Sequence, residues 1–246
     1  MFRADSQRPL RAVPIWIWLL IATSMLGQIG LHLVRPAATA SAETLGRPSS
    51  NNVLLLQSLG EPTSLGKLLM LWLQGFDNQP GVSIPFAALD YDHVTQWLDA
   101  SLALDPNGQY PLLVAARVYA EVPDPSRQRQ MLDFVFQRFS QDPARRWPWL
   151  AHAAVVAKHR LHDQTLALKY ARVLADIPLE THIPSWARHM DLILLEEAGE
   201  QQTVKILIGG LIESGKLDSP QELNFWKRKL EELSPEMSGN RDQRRD

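Results

Sequence analysis

Tryptophan and histidine recur as a pair along the second half of this chain. Trp149 and His152 are followed 37 residues later by Trp186 and His189. An imidazole titrates near neutrality and carries protons, and an indole offers a rigid apolar plate with one N–H donor that can anchor a partner. On a helix, positions three, four and seven apart share a face. Val156, His159 and Arg160 therefore extend the first pair, and Ile193 and Glu197 extend the second.

Other chemistries find less support. His152, His159 and His162 lie within eleven residues, but His152 and His159 are two helical turns apart, about 10 Å, too far to share one ion without a third element. HExxH, acidic calcium-loop and glycine-rich phosphate motifs are all missing from the sequence, so neither a metal nor another cofactor is expected. With Cys at 0, disulfides and thiolate chemistry are excluded. The serines carry no nucleophile-elbow motif, which leaves an enzyme using a histidine-lined groove as the weakest reading and gives no small-molecule substrate. Lysines and arginines are scattered and balanced by acids, for a net charge of -2, so nucleic acid is not an expected partner.

A second candidate is the loop from Gly75 to Ala88. Val82, Ile84 and Phe86 alternate along it like a short extended strand that enters a groove or meets a partner. The alternative is a plug that buries those side chains over one end of the domain.

The elements that must position these residues repeat. Tyr110-Pro111, Trp147-Pro148 and Ile183-Pro184 stand 37 and 36 residues apart, and Val94, Met131, Ala167 and Val204 recur in step at 37, 36 and 37. Proline fits the first turn of a helix, where its missing N–H has no partner to lose. Each proline thus opens a first helix, over 112–121, 149–161 and 185–198. Short polar turns lead into second helices over 126–140, 164–176 and 201–214. A short helix from Val53 precedes 65–74, the first helix of the first hairpin. Ser219-Pro220-Gln221-Glu222 is a capping box that starts a closing helix to about Leu233.

The stretch Tyr91 to Asn107, ending Leu104-Asp105-Pro106-Asn107, resembles the second helix and closing turn of a tetratricopeptide repeat. Gln141-Asp142-Pro143 repeats the ending, and Leu161 to Ala171 resembles the small-residue packing segment with Ala167 at its crowded position. The likeness spans about 65–214. It departs from the family in its longer period, in Val94, Met131 and Val204 where a small residue is usual, and in lacking the glycine-tyrosine pair of the first helix. What the resemblance implies is an all-α fold: a right-handed α-solenoid of about four helix hairpins plus a C-terminal capping helix. First helices in that family line a concave groove. Trp149, His152, Val156, His159, Arg160, Trp186, His189, Ile193 and Glu197 would then form an aromatic, histidine-bearing wall that holds a protein or peptide partner. The alternative is that both tryptophans are core between repeats, with the histidines at its border.

The N-terminus sets the address. Residues 14–34 carry no charge and are long enough to cross a hydrocarbon core. Arg3, Arg8 and Arg11 precede them against one acid, Asp5, which keeps 1–13 cytoplasmic and sends the domain outward. The expected layout is a transmembrane signal anchor over 14–34, a flexible linker over 35–52, the repeat domain over 53–233 and a disordered tail over 234–246. The protein is then a single-pass inner-membrane protein with a periplasmic domain. Ala38-Thr39-Ala40 and Ala40-Ser41-Ala42 offer the alternative, cleavage and export as a soluble protein. The function expected is a membrane-tethered adaptor or scaffold for an envelope complex, with a structural subunit lacking a groove ligand as the alternative.

Overall fold

The computed structural model describes residues 13–34, 42–215, 217 and 219–234. Expectations for 1–12, the first part of the linker and the tail beyond 234 fall outside the described residues. The chain divides into two units, Met1–Ser41 and Ala42–Asp246. In the first, α1 (Ile15–Val34) buries none of its residues and has a mean hydropathy of 1.7. It is long and apolar enough to span a membrane or to serve as a signal sequence.

The second unit is almost entirely helical. Its helices are α2 (Asn51–Gln57), α3 (Pro62–Gly75), α4 (Tyr91–Leu104), α5 (Tyr110–Arg117), α6 (Pro125–Phe139), α7 (Pro143–His159), α8 (Gln164–Ala175), α9 (Ser185–Arg188), α10 (Met190–Glu197), α11 (Gln201–Ser214) and α12 (Pro220–Leu233). From α3 onward each packs on its neighbour in the chain, with α9 and α10 both lying against α8. Aspartates cap several starts: Asp90, Asp124 and Asp163 accept backbone N–H groups from the first turns of α4, α6 and α8, satisfying donors that a helix leaves unpaired.

The four positions spaced 37, 36 and 37 residues apart lie in the core. Val94, Met131, Ala167 and Val204 are all at 1% exposure or less. One large apolar cluster runs from Leu45 and Met70 to Leu194, and a second joins Leu192, Leu195, Val204 and Ile208 to Trp226 of α12. α3 and α4 meet closely at Gly66, where an added Cβ would lie 3.1 Å from the Ser101 carbonyl oxygen. The Ser101 hydroxyl in turn donates to the Gly66 carbonyl at 3.0 Å.

Two prolines sit elsewhere than expected. Pro148 lies inside α7, which starts five residues earlier at Pro143. Its missing N–H deprives only the carbonyl of Ala144, an exposed residue whose oxygen water can serve. Pro184 precedes α9 as its N-cap. The helix expected over 185–198 then breaks at His189, whose φ of -105 and ψ of 24 are not helical.

The linker expected to be flexible to residue 52 is fixed well before that. The Glu43 N–H donates to the Gln79 side chain at 2.7 Å, and the Gln79 amide returns a bond to the Glu43 carbonyl at 3.1 Å. His93 Nδ1 lies 2.6 Å from the Leu45 carbonyl oxygen, and Trp97 Nε1 donates to the Gly46 carbonyl at 2.8 Å. Leu45 is buried. Its burial and these bonds offset the chain entropy that would keep a linker loose.

Gln79 belongs to a small hairpin in the long loop, β1 (Asn78–Gln79) paired antiparallel with β2 (Val82–Ser83). Val82, Ile84 and Phe86 alternate half-buried with exposed neighbours. Ile84 and Phe86 pack on the main core, and the Phe86 ring meets Tyr119 edge-on at 5.7 Å.

Candidate functional site

Three of the residues singled out from the sequence, Trp186, His189 and Ile193, come together between α9, α10 and α12. They line a cavity of about 280 Å³ with Leu192, Phe225 and Trp226, and with Glu196 and Lys229 as its charged residues. Local sequence explains the shape. Pro184 starts α9, and the break at His189 turns α10 away. The Ser219 hydroxyl accepts the Glu222 N–H at 3.2 Å and caps α12, and Trp226 follows Glu222 one turn on, facing the second core cluster.

The polar centre is a buried tie. His189 Nε2 lies 3.0 Å from Glu222 Oε1, both side chains being almost fully buried, and the Ser185 hydroxyl donates to the same carboxylate oxygen. The His189 ring meets Trp226 edge-on at 5.2 Å. Burial pushes the His189 pKa below its ordinary 6.5 and outweighs the nearby Glu222 carboxylate, which raises it. Burial thus favours the neutral imidazole, whose Nε2 faces the Glu222 carboxylate. Serine, histidine and a carboxylate resemble a hydrolytic set by composition only. Ser185 donates to the carboxylate rather than to the imidazole, so no base is aligned on the hydroxyl.

Trp226 Nε1, Asp191 Oδ1 and the Nε and Nη2 of Arg188 are buried nearby without a hydrogen-bond partner. Burial raises the Asp191 carboxyl above its ordinary 3.8, against the lowering effect of the Leu192 backbone N–H and of His189. Lys229 Nζ pairs with Glu196 Oε1 at 2.7 Å, both partly exposed. The cavity is thus apolar and aromatic with one ion pair, a lining suited to an apolar side chain.

The remaining wall residues do not join this cavity. Trp149 is half-buried and donates from Nε1 to Gln109 Oε1 at 3.1 Å. His152 Nε2 is buried with no partner, and burial with a contribution from Arg117 lowers its pKa against the opposing Glu121. Val156, expected on the wall, is 3% exposed and belongs to the main core. His159 is exposed, Arg160 pairs with Glu121 at 2.5 Å, and Glu197 pairs with Lys158. The expected equivalence of the two Trp-His pairs also fails. Trp186 is 52% exposed and its ring meets Trp147 at 5.6 Å, whereas His189 is buried and His152 half-buried. His189 is tied to Glu222 of α12, whereas His152 Nε2 is buried without a hydrogen-bond partner, and that asymmetry separates them. Among the described residues no three His, Cys, Asp or Glu side chains converge as a metal site requires.

Two groups were not singled out from the sequence. Glu222, Trp226 and Lys229 recur at four and three residues on one face of α12, a pattern present in the sequence but readable as a solvated cap. Arg146 is 1% exposed and Arg188 is 4% exposed. Arg146 donates to the Arg138 and Pro106 carbonyls, and Arg188 to the Ile177 carbonyl. Arg146 thus reaches the last turn of α6 and the residue just past the α4 C-cap, and Arg188 a carbonyl just past α8, helix ends that favour positive charge.

No family model, no curated protein and no solved structure matches this chain.

Proposed function

We propose that this protein is a membrane-tethered adaptor whose helices form a divergent tetratricopeptide-like, right-handed solenoid, and that it holds a protein partner in the cavity between α10 and α12. The observation that carries the reading is the pairing of that cavity with exposed aromatic surface at its edge: Trp186 is 52% exposed and Phe225 49% exposed. Large aromatics on a rigid helical frame are the residue type that dominates binding energy at protein interfaces. Four buried positions in step along the chain support the solenoid. The uncharged α1 supports the tether, which raises the effective concentration of the domain at other membrane components.

Photo-crosslinking residues placed at Trp186 and Phe225 of the full-length protein, in intact membranes, test the reading. Adducts to a common protein from both positions, and not from Glu180, are expected. Their absence from 186 and 225 overturns it. Topology is tested separately. A reporter fused after Asp246 is active only outside the cytoplasm and the mature chain keeps its apolar run; a mature chain beginning at Ser41 or Glu43 replaces the anchor with a soluble exported domain.

A second reading, a structural subunit with fixed neighbours, is favoured by Ile206 and Leu207 on α11, which are 66% and 41% exposed. Adducts from α11 alone would select it.

A further inference from the structure

The first two helices of the domain carry an unusual concentration of exposed apolar side chains. Val53, Leu55 and Leu56 of α2, Leu59 in the following turn, and Leu68, Leu71 and Trp72 of α3 are between 42% and 92% exposed. α2 packs directly on α3 and α4, with Leu54 turned inward against Ala100 and Leu104. Leu59 is held outward at 92% exposure with φ of 50, a left-handed conformation that leucine rarely adopts. Between Ser49 and Gly75 only Glu61 and Lys67 are charged. The exposed polar residues beside it, Asn51, Asn52, Gln57, Thr63 and Ser64, are uncharged, so little charge is desolvated when the face leaves water.

We propose that the α2–α3 face rests in the surface of the lipid bilayer, with Leu56, Leu59 and Leu68 entering the acyl boundary. The inference rests on the reading that α1 is retained in a membrane. That helix ends at Val34 and the domain begins at Ala42, and the eight Cα–Cα steps between them reach at most about 29 Å at about 3.6 Å each. No slack is gained immediately beyond, because the chain is pinned to the domain at Glu43, Leu45 and Gly46. Apolar surface held this close to a bilayer is removed from water by contact with it. One acid and one base on the face give no net charge, so the contact needs no anionic lipid.

The cysteine-free sequence permits single-site labelling of the full chain. Leu56→Cys, Leu68→Cys and, as a control, Glu180→Cys carry an environment-sensitive fluorophore in phosphatidylcholine vesicles, with and without phosphatidylglycerol. Labels at 56 and 68 are expected to resist an aqueous quencher and to be quenched by lipid-borne nitroxide in both vesicles, and the label at 180 to do the reverse. Labels at 56 and 68 as open to the aqueous quencher as that at 180 overturn the inference, even while co-flotation with vesicles upholds the anchor. Protection from the aqueous quencher without nitroxide quenching also overturns it, since a second copy or another protein then covers the face. A chain that does not float with vesicles removes the anchor and the inference together.

Discussion

His189 and Glu222 are joined by a hydrogen bond of 3.0 Å between side chains that are 33 residues apart and almost fully buried. This bond fastens the closing helix to the break between α9 and α10 and sets one side of the candidate cavity.

Glu222→Ala leaves the buried imidazole N–H and the Ser185 hydroxyl without their acceptor. An unsatisfied buried donor costs about 1 to 3 kcal/mol. The urea midpoint should fall accordingly, with an early change in tryptophan fluorescence as α12 loosens around Trp226. An unchanged midpoint would mean that α12 is held by its apolar contacts alone.

Stability should decline in mild acid. Burial lowers the pKa of both His152 and His189 from 6.5, so below that value the unfolded chain binds more protons than the folded one. The stability present above 6.5 is lost as pH falls toward the lowered values. Asp191 works in the opposite sense. Its raised pKa favours the protonated folded form, a contribution present below 3.8 and lost as pH rises through the raised value. Urea midpoints measured from about pH 7.5 to about pH 5.5 should drop, and His152→Leu should flatten the drop because His152 Nε2 has no partner to lose. Equal slopes in both proteins would remove His152 from this account.

Trp149→Ala and Trp186→Ala should differ. Trp149 is half-buried and bonded to Gln109, so its loss should cost about 1 to 3 kcal/mol. Trp186 is 52% exposed, and its removal should change stability by about 0.5 kcal/mol or less while weakening partner capture. Equal destabilisation by thermal melts would restore the equivalence that the 37-residue spacing suggests.

Ala167→Leu should overpack the fully buried position where α8 meets the main core. A cost of about 1 to 3 kcal/mol is expected from denaturant unfolding. A neutral result would place free volume at a position where none is evident.

The sequence by itself determined the elements. Helices α6, α8, α11 and α12 begin and end within a residue or two of the expected bounds, because caps, prolines and the period of apolar residues act locally along a few turns. It also determined the apolar N-terminal helix and the buried register of Val94, Met131, Ala167 and Val204. Tertiary structure decided what each face meets. A helical period fixes direction only relative to its own axis, so it could not tell that Val156 turns into the core, that His189 finds Glu222 of α12 while the buried His152 Nε2 finds no partner, or that Leu45 pulls the linker onto α4. Nor could it tell a proline that opens a helix from one inside it, since Pro148 inside α7 gives up only the bond to the Ala144 carbonyl and the start was set five residues earlier at Pro143. Those outcomes depend on partners 30 to 50 residues away in the chain, and pairing at that range is governed by the summed packing of the domain rather than by any local pattern.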